Sequence, residues 1–231
     1  LKLRIKISNQ LLAFERQTDH PRESIIEKLN EMLDNANSLE LEARKTVEKL
    51  IIAIAPEDPL VAAALDIDGV GPMTVAYLAA YVDLEKAQYP SSVWAYVGYD
   101  KASHERYTKG TASGGNKTLR TALFRTADSM VKTRGAYREV YDKRKDRQSF
   151  SENIVKSRNT QGKLVEVAWK DTKPCHRHGD AMRVMMKHFL RDYWLVGRKI
   201  QGLPTQHMYV EEYLGHTTII PPEARGWPIV E

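Results

Sequence analysis

The longest pattern in the chain is a heptad repeat of apolar residues between residues 22 and 55. The first repeat position holds Ile26, Leu33, Glu40, Val47 and Ile54, and the second holds Leu29, Ala36, Ala43 and Leu50. A stripe sustained over more than four heptads predicts one long helix and favours a coiled coil. A long helix packed on its own domain has the same pattern, so both interpretations stay open. Apolar residues at 3–12 indicate a preceding helix or strand, and a break is predicted at residues 19–21.

A second pattern, at residues 65–79, predicts two short helices joined by a glycine turn. Gly69 and Gly71 permit backbone angles that other residues resist, and they leave no side chain over the turn. Pro72 suits the first position of a helix, because its missing N–H needs no partner there. This is a helix-hairpin-helix element, whose free amides and positive helix end attract a phosphate. The alternative is a tight turn that binds nothing.

The rest of the chain reads as mostly helical. Residues 91–97 form a short helix that ends near Gly98, residues 99–115 are loop-like, and an apolar stripe marks a helix over residues 119–131. Further helices are predicted at residues 137–147 and 182–196, with a strand at residues 164–169. The tail contains four prolines and is expected to wrap a surface without forming a core of its own. The fold class is therefore mostly α: a long coiled-coil-like helix, a compact helix-hairpin-helix domain and an irregular Pro-rich tail.

These elements suggest five segments along the chain. They are a helical arm (1–58), a helix-hairpin-helix domain (59–147), a polar insertion (148–178), a last helix of that domain (179–200) and an extended tail (201–231).

Charge is concentrated in one block. The 231 residues carry a net charge of +5, but residues 101–147 alone hold 13 Lys and Arg against 5 Asp and Glu, a local net charge of +8. Such a block favours a polyanionic partner. A single cysteine, Cys175, excludes an internal disulfide and fits a reducing compartment. With neither a membrane-spanning run nor a signal peptide in the sequence, we expect a cytoplasmic protein without membrane contact.

A metal site was considered at residues 175–178, which read Cys-His-Arg-His. Zinc sites usually take four ligands from two separated pairs, and this sequence offers one pair. We therefore predict no metal and no cofactor within this chain.

The order of motifs resembles the C-terminal half of the bridge-RNA-guided serine transposases of bacterial insertion sequences. The resemblance begins with the long helix. It continues through the glycine turn at 68–72, a Trp-Ala-Tyr-Val-Gly segment at 94–98 and a basic loop, and reaches the Gly-Gly-Asn-Lys-Thr-Leu-Arg segment at 114–120. It covers roughly residues 22–147 and resumes at 180–196. The family's serine lies in the loop between the last two motifs, where Ser103 matches by spacing and Ser113 matches the local Ser-Gly pattern.

The resemblance implies DNA strand cleavage and exchange through a serine nucleophile, and a structured guide RNA. The heptad repeat of residues 22–55 separately favours a homo-oligomer. The catalytic candidates are Ser103 and Ser113. The candidate nucleic-acid-binding residues are Gly69, Gly71, Lys101, Arg106, Lys109, Asn116, Lys117, Arg120 and Arg125. Two other readings remain open, so enzymatic activity is not assigned at this point. One is a non-catalytic DNA- or RNA-binding protein of a phage or mobile element; the other is a structural assembly protein built on the coiled coil.

Overall fold

The computed structural model describes residues 2–16, 23–100, 114–159, 161–205 and 220–230. Within these residues the chain forms eight α-helices, one pair of strands and short 3-10 turns, which confirms the mostly α fold. The helices are α1 (Lys2–Glu15), α2 (Glu23–Ile54), α3 (Pro59–Leu65), α4 (Pro72–Tyr81), α5 (Pro90–Val97), α6 (Lys117–Thr133), α7 (Arg138–Phe150) and α8 (Pro174–Ile200). The chain divides into two compact units, Leu1–Ala53 and Ile54–Glu231.

The first unit contains α1 and nearly all of α2. The heptad repeat predicted one helix, and α2 is a single helix of 32 residues. The apolar residues before it form a helix and not a strand. Arg4 of α1 donates from Nε to Oε2 of Glu40 at 3.0 Å, which links the two helices. The break predicted at residues 19–21 lies outside the described residues.

Helix α2 leaves much of its apolar surface exposed. Ile26, Leu33 and Val47 of the first heptad position are half-buried. By contrast, Leu50 of the second position is 59% exposed, and Met32 and Leu39 are 48% and 67% exposed. Met32 and Leu39 are one heptad apart and lie beside the second position, so a second apolar stripe runs along α2.

The core of the second unit is built around α8. This helix contacts α3, α5, α6 and α7. Pro174 occupies its first turn, where proline is tolerated. The helix is longer than the predicted residues 182–196, because it begins just before the Cys-His-Arg-His segment and runs to Ile200. Its fully buried side chains include Met185, Phe189 and Trp194.

Between α7 and α8 the chain forms a β-ribbon. The predicted strand is present as β2 (Leu164–Ala168), and it pairs antiparallel with an unexpected strand, β1 (Ile154–Arg158). Ile154 lies opposite Ala168 and Arg158 opposite Leu164. Strand β1 was not predicted, because its sequence, Ile-Val-Lys-Ser-Arg, has only a weak apolar alternation. Its one buried residue is the polar Ser157.

Part of the tail belongs to the core of the second unit. Arg225 and Trp227 are buried, and an Arg225 nitrogen lies 2.9 Å from Oδ2 of the fully buried Asp192 in α8. The hydroxyl of Tyr137 donates to the same carboxylate at 2.7 Å, and Trp227 donates to that hydroxyl at 2.6 Å. Burial, and then the Asp192 charge, raises the pKa of Tyr137 well above its usual value. A buried charge needs such partners, and the tail supplies one of them, Arg225, beside Tyr137 and Arg191.

Candidate nucleic-acid interface

The hairpin turn between α3 and α4 is held against α6. The amide of Val70 donates to the carbonyl of Ile67 at 2.9 Å and closes the turn. Gly69 has a φ of +86°, and a Cβ there would lie 2.7 Å from the backbone of Met130 in α6. Glycine is therefore required at Gly69 both for the backbone angle and for the close approach. The hydroxyls of Thr74 and Thr126 meet at 2.8 Å and join α4 to α6.

Gly71 differs from this expectation. Its φ of −103° and ψ of 169° are ordinary extended values, so the prediction of unusual backbone angles is correct for Gly69 and wrong for Gly71. A Cβ on Gly71 would meet nothing within 4 Å. Among the described residues, the amides of Gly71 and Met73 have no hydrogen-bond acceptor. The N-terminus of α4 thus presents two free donors to open space, which is the geometry that binds anions.

The second feature is a backbone contact where the chain leaves α5 and returns to α6. We call this contact, between Gly98 and residues 114–115, the stem. Gly98 ends α5 with a φ of +79°, and Gly115 precedes α6 with a φ of +86°. A Cβ on Gly115 would lie 2.6 Å from the amide nitrogen of Gly98, and one on Gly98 would lie 2.9 Å from the carbonyl oxygen of Gly114. The two backbones therefore touch, which holds both ends of the intervening loop together.

Asn116 fixes this stem to the helix that follows. Its backbone amide donates to the carbonyl of Tyr96 at 2.7 Å. Its side-chain Oδ1 accepts from the amide of Leu119 at 3.0 Å and caps α6, while its Nδ2 donates to the hydroxyl of Tyr96 at 3.0 Å. Asparagine is a preferred residue for such a cap. In the structure, Asn116 thus orients the start of α6.

The first half of α6 carries basic side chains that lack acidic partners. Lys117 and Arg125 are exposed and Arg120 is half-buried, and none forms an ion pair within the described residues. Arg120 lies at the stem, since its Nη1 is 3.0 Å from where a Cβ of Gly98 would be. Further along, four of the basic side chains form ion pairs within the fold. The pairs there are Lys132–Asp128, Arg138–Asp142, Lys143–Glu139 and Arg144–Asp180.

Side chains and backbone of α8 hold the stem and α5 in place. Arg183 donates to the carbonyl of Tyr99 at 3.4 Å and to Oδ1 of Asp180 at 2.6 Å. Burial acts to raise the pKa of Asp180, but hydrogen bonds and charge from Arg183 and Arg144 outweigh it and lower that pKa. Asp180 therefore stays ionised at neutral pH and keeps Arg183 directed at the stem. The indole of Trp94 in α5 also donates to a carbonyl of α8, which holds α5 in place.

The structure brings together only part of the predicted site. Gly69, Gly71, Asn116, Lys117, Arg120 and Arg125 lie on the hairpin, the stem and α6. The loop candidates Ser103, Ser113, Lys101, Arg106 and Lys109 lie outside the described residues. Sequence reasoning missed Phe124, whose side chain is 57% exposed on α6. Its position outside the predicted apolar stripe was the available signal, since a phenylalanine on the polar face of a helix calls for an explanation.

One comparison with known proteins covers the same part of the chain. Residues 62–142 match the model of the Transposase IS116/IS110/IS902 family, a range that includes the hairpin, the stem and α6. This segment of the chain is therefore transposase-like. No curated protein and no solved structure matches the chain significantly.

Neither a membrane-spanning helix nor a metal-binding cluster is found in the described part of the chain. No helix there is long and apolar enough to cross a membrane. No cluster of three or more metal-ligating side chains occurs among the described residues, and Cys175 is exposed.

Proposed function

We propose that this chain is a DNA-binding, transposase-like protein that contacts the phosphate backbone through the hairpin and the first half of α6. The observation that carries the proposal is the joining of these parts. Gly69 brings the hairpin turn against α6, and the touching glycines at 98 and 115 bring the loop ends to the start of the same helix. Free amides at the hairpin and unpaired basic side chains on α6 both favour anionic oxygens. The family match over residues 62–142 supports the same function.

We extend the proposal to strand cleavage by a serine of the loop, with Ser103 as the first candidate and Ser113 as the second. In this step the serine Oγ attacks a backbone phosphorus and loses its proton to a base. A P–O bond to one deoxyribose oxygen breaks, and that oxygen takes up a proton. A phosphoserine linkage to one DNA end results. Lys117 and Arg120, which follow the loop, are suited to stabilise charge on the phosphate oxygens.

The partners in this proposal are DNA, a structured guide RNA and further copies of the same chain. The RNA rests on the resemblance to bridge-RNA-guided transposases. Self-association rests on α2, where Met32, Leu39 and Leu50 expose an apolar stripe. Covering such a stripe with another copy would remove it from water.

The DNA-binding part is tested at Gly71. Gly71→Val fills the open space at the N-terminus of α4 without demanding a positive φ, so we expect a folded protein with duplex affinity lowered about tenfold. The matched variant Gly69→Val should unfold or distort the hairpin, because its side chain meets the backbone of α6. Binding is measured by fluorescence anisotropy with a labelled duplex at several salt concentrations. A flat salt response of the natural protein would end the proposal.

The cleavage part is tested by trapping the covalent linkage. With the insertion-sequence ends and the guide RNA supplied, we expect a denaturant-resistant protein–DNA band whose linked peptide contains Ser103. Ser103→Ala should abolish the band while duplex affinity stays near normal, and Ser113→Ala is the matched control. An adduct on Ser113 would reassign the nucleophile. Bound DNA without any adduct would favour the non-catalytic alternative.

A further inference from the structure

We propose that Phe124 is a stacking platform for an unpaired base of a DNA strand. This inference rests on the proposed DNA-binding function and adds to it a preference for distorted or opened duplex. Phe124 is 57% exposed, whereas Leu119, Leu123 and Ala127 of the same helix are buried. The ring therefore takes no part in the core of the protein and is free to contact a ligand.

The neighbours of Phe124 identify the ligand as a nucleotide. Arg120 and Lys117 precede it by four and seven residues, spacings that place all three side chains on one side of the helix. Neither basic residue has an acidic partner within the described chain, and the next acid along the helix, Asp128, pairs with Lys132. A flat apolar ring beside two free cations matches a base joined to its phosphates.

The position of the ring favours an unpaired base over a base within a duplex. A stacked base pair exposes only its edges in the grooves, so a phenylalanine ring can stack on a base only where that base has left the helix or its step has been opened. Phe124 lies about 6 Å along the helix axis from Arg120. Arg120 in turn lies at the stem, where Gly98 and Gly115 hold the loop ends together. A base opened near a strand that contacts this stem would reach the ring. Tyr96, which is 45% exposed and bonded to Asn116, adds a second aromatic surface at the start of the same helix.

The experiment compares two duplexes of one sequence with the full chain. In one, a 2-aminopurine is bulged and unpaired; in the other, it is paired with thymine. We expect the natural protein to bind the bulged duplex more tightly and to quench its 2-aminopurine fluorescence. Phe124→Ala should lower affinity for the bulged duplex about tenfold, remove the quenching and leave affinity for the paired duplex unchanged. Phe124→Trp should keep both the preference and the quenching.

The matched control is Phe150→Ala, because Phe150 is 81% exposed at the end of α7. It should bind both duplexes as the natural protein does.

Equal loss on both duplexes by Phe124→Ala would overturn the proposal, as would a bulge preference that survives the substitution. A Phe124 dependence seen only with bulged RNA would overturn the assignment to DNA. If Phe124→Ala changes the particle mass measured by light scattering, a second copy of the chain covers the ring, and the proposal is overturned. If the natural protein binds the paired duplex with normal salt dependence but shows no bulge preference, only this inference fails; if it binds neither, the proposed function fails as well.

Discussion

The two longest helices, α2 and α8, use similar lengths of chain in opposite ways. Helix α2 has 32 residues, of which only Ile51 is buried, whereas α8 has 27 residues and buries fourteen. In α8 even the charged Asp192 is fully buried, while in α2 the apolar Leu39 is 67% exposed. An apolar period therefore predicts that a helix has a face to cover, but it does not identify what covers it. In α8 the chain itself supplies the cover, and in α2 the second stripe remains available to a partner.

The largest expected effect comes from breaking an ion pair in α8. Asp192→Ala leaves two buried arginines, Arg191 and Arg225, without their carboxylate, and the hydroxyl of Tyr137 without its acceptor. We expect the free energy of unfolding to fall by about 3 to 5 kcal/mol. Urea titration followed by tryptophan fluorescence measures this loss. All four tryptophans lie between residues 94 and 227, in the same unit as Asp192.

The control for that variant is an ion pair of α2. Glu48→Ala removes the partner of Arg44, which lies at 2.8 Å on the exposed surface. Exposed pairs of this kind contribute less than about 1 kcal/mol, so the loss should be small. It is followed by circular dichroism, because residues 1–53 contain no tryptophan. Equal losses in the two variants would contradict the contrast between the helices.

A smaller effect is expected from pH, through His188 of α8. Burial lowers the pKa of His188 to about 4 from its usual 6.5, with further lowering by the charges of Arg225, Arg191 and Lys187. As the pH falls below 6.5, the unfolded chain takes up this proton before the folded one does. Stability from the neutral ring is thus complete above about pH 6.5 and declines towards pH 4, by up to about 3 kcal/mol.

Urea titrations at pH 7 and pH 4.5 measure this dependence, and His188→Leu should flatten it. Helix α2 contains no histidine, so protonation of a histidine should not change its helicity between pH 7 and pH 4.5. The lowered pKa of Asp180 acts in the same direction but below its usual value of 3.8, outside this window. A pH slope that survives the substitution would assign the effect to another group.

The smallest effect on stability, with the clearest effect on assembly, is expected from the exposed stripe of α2. Leu39→Lys combined with Leu50→Lys places two charges on residues that are already exposed, so the unfolding of the isolated chain should change by less than about 0.5 kcal/mol. Light scattering should show a smaller particle than that of the natural protein. Leu33→Lys is the control variant within the same helix. Because Leu33 is half-buried, we expect this substitution to lower helicity. An unchanged particle mass in the double variant would mean that the stripe does not join copies of the chain.

Local signals predicted the elements around the candidate site well. Pro72 begins α4, Gly98 ends α5 and Asn116 caps α6, each at the position that its chemistry favours. The prediction failed where long-range packing decides. The need for glycine at Gly69 comes partly from Met130, sixty-one residues away, and no local rule distinguishes it from Gly71. Strand β1 was missed for a related reason, since its pairing with β2 outweighs its weak pattern.

By itself the sequence determined that α4 begins at Pro72 and that α5 ends before Gly98, that α2 is one long helix, and that positive charge is concentrated between residues 101 and 147. These properties depend on backbone angles, caps and composition, which neighbouring residues set among themselves. Only the tertiary structure decided that Trp227 and Arg225 complete the core around Asp192, and that the glycines at 98 and 115 touch. It also decided which cations find a distant acidic partner, because Arg144 meets Asp180 through packing of α7 on α8. Such contacts join residues far apart in the chain, and they depend on how the helices pack and not on the pattern within any one helix.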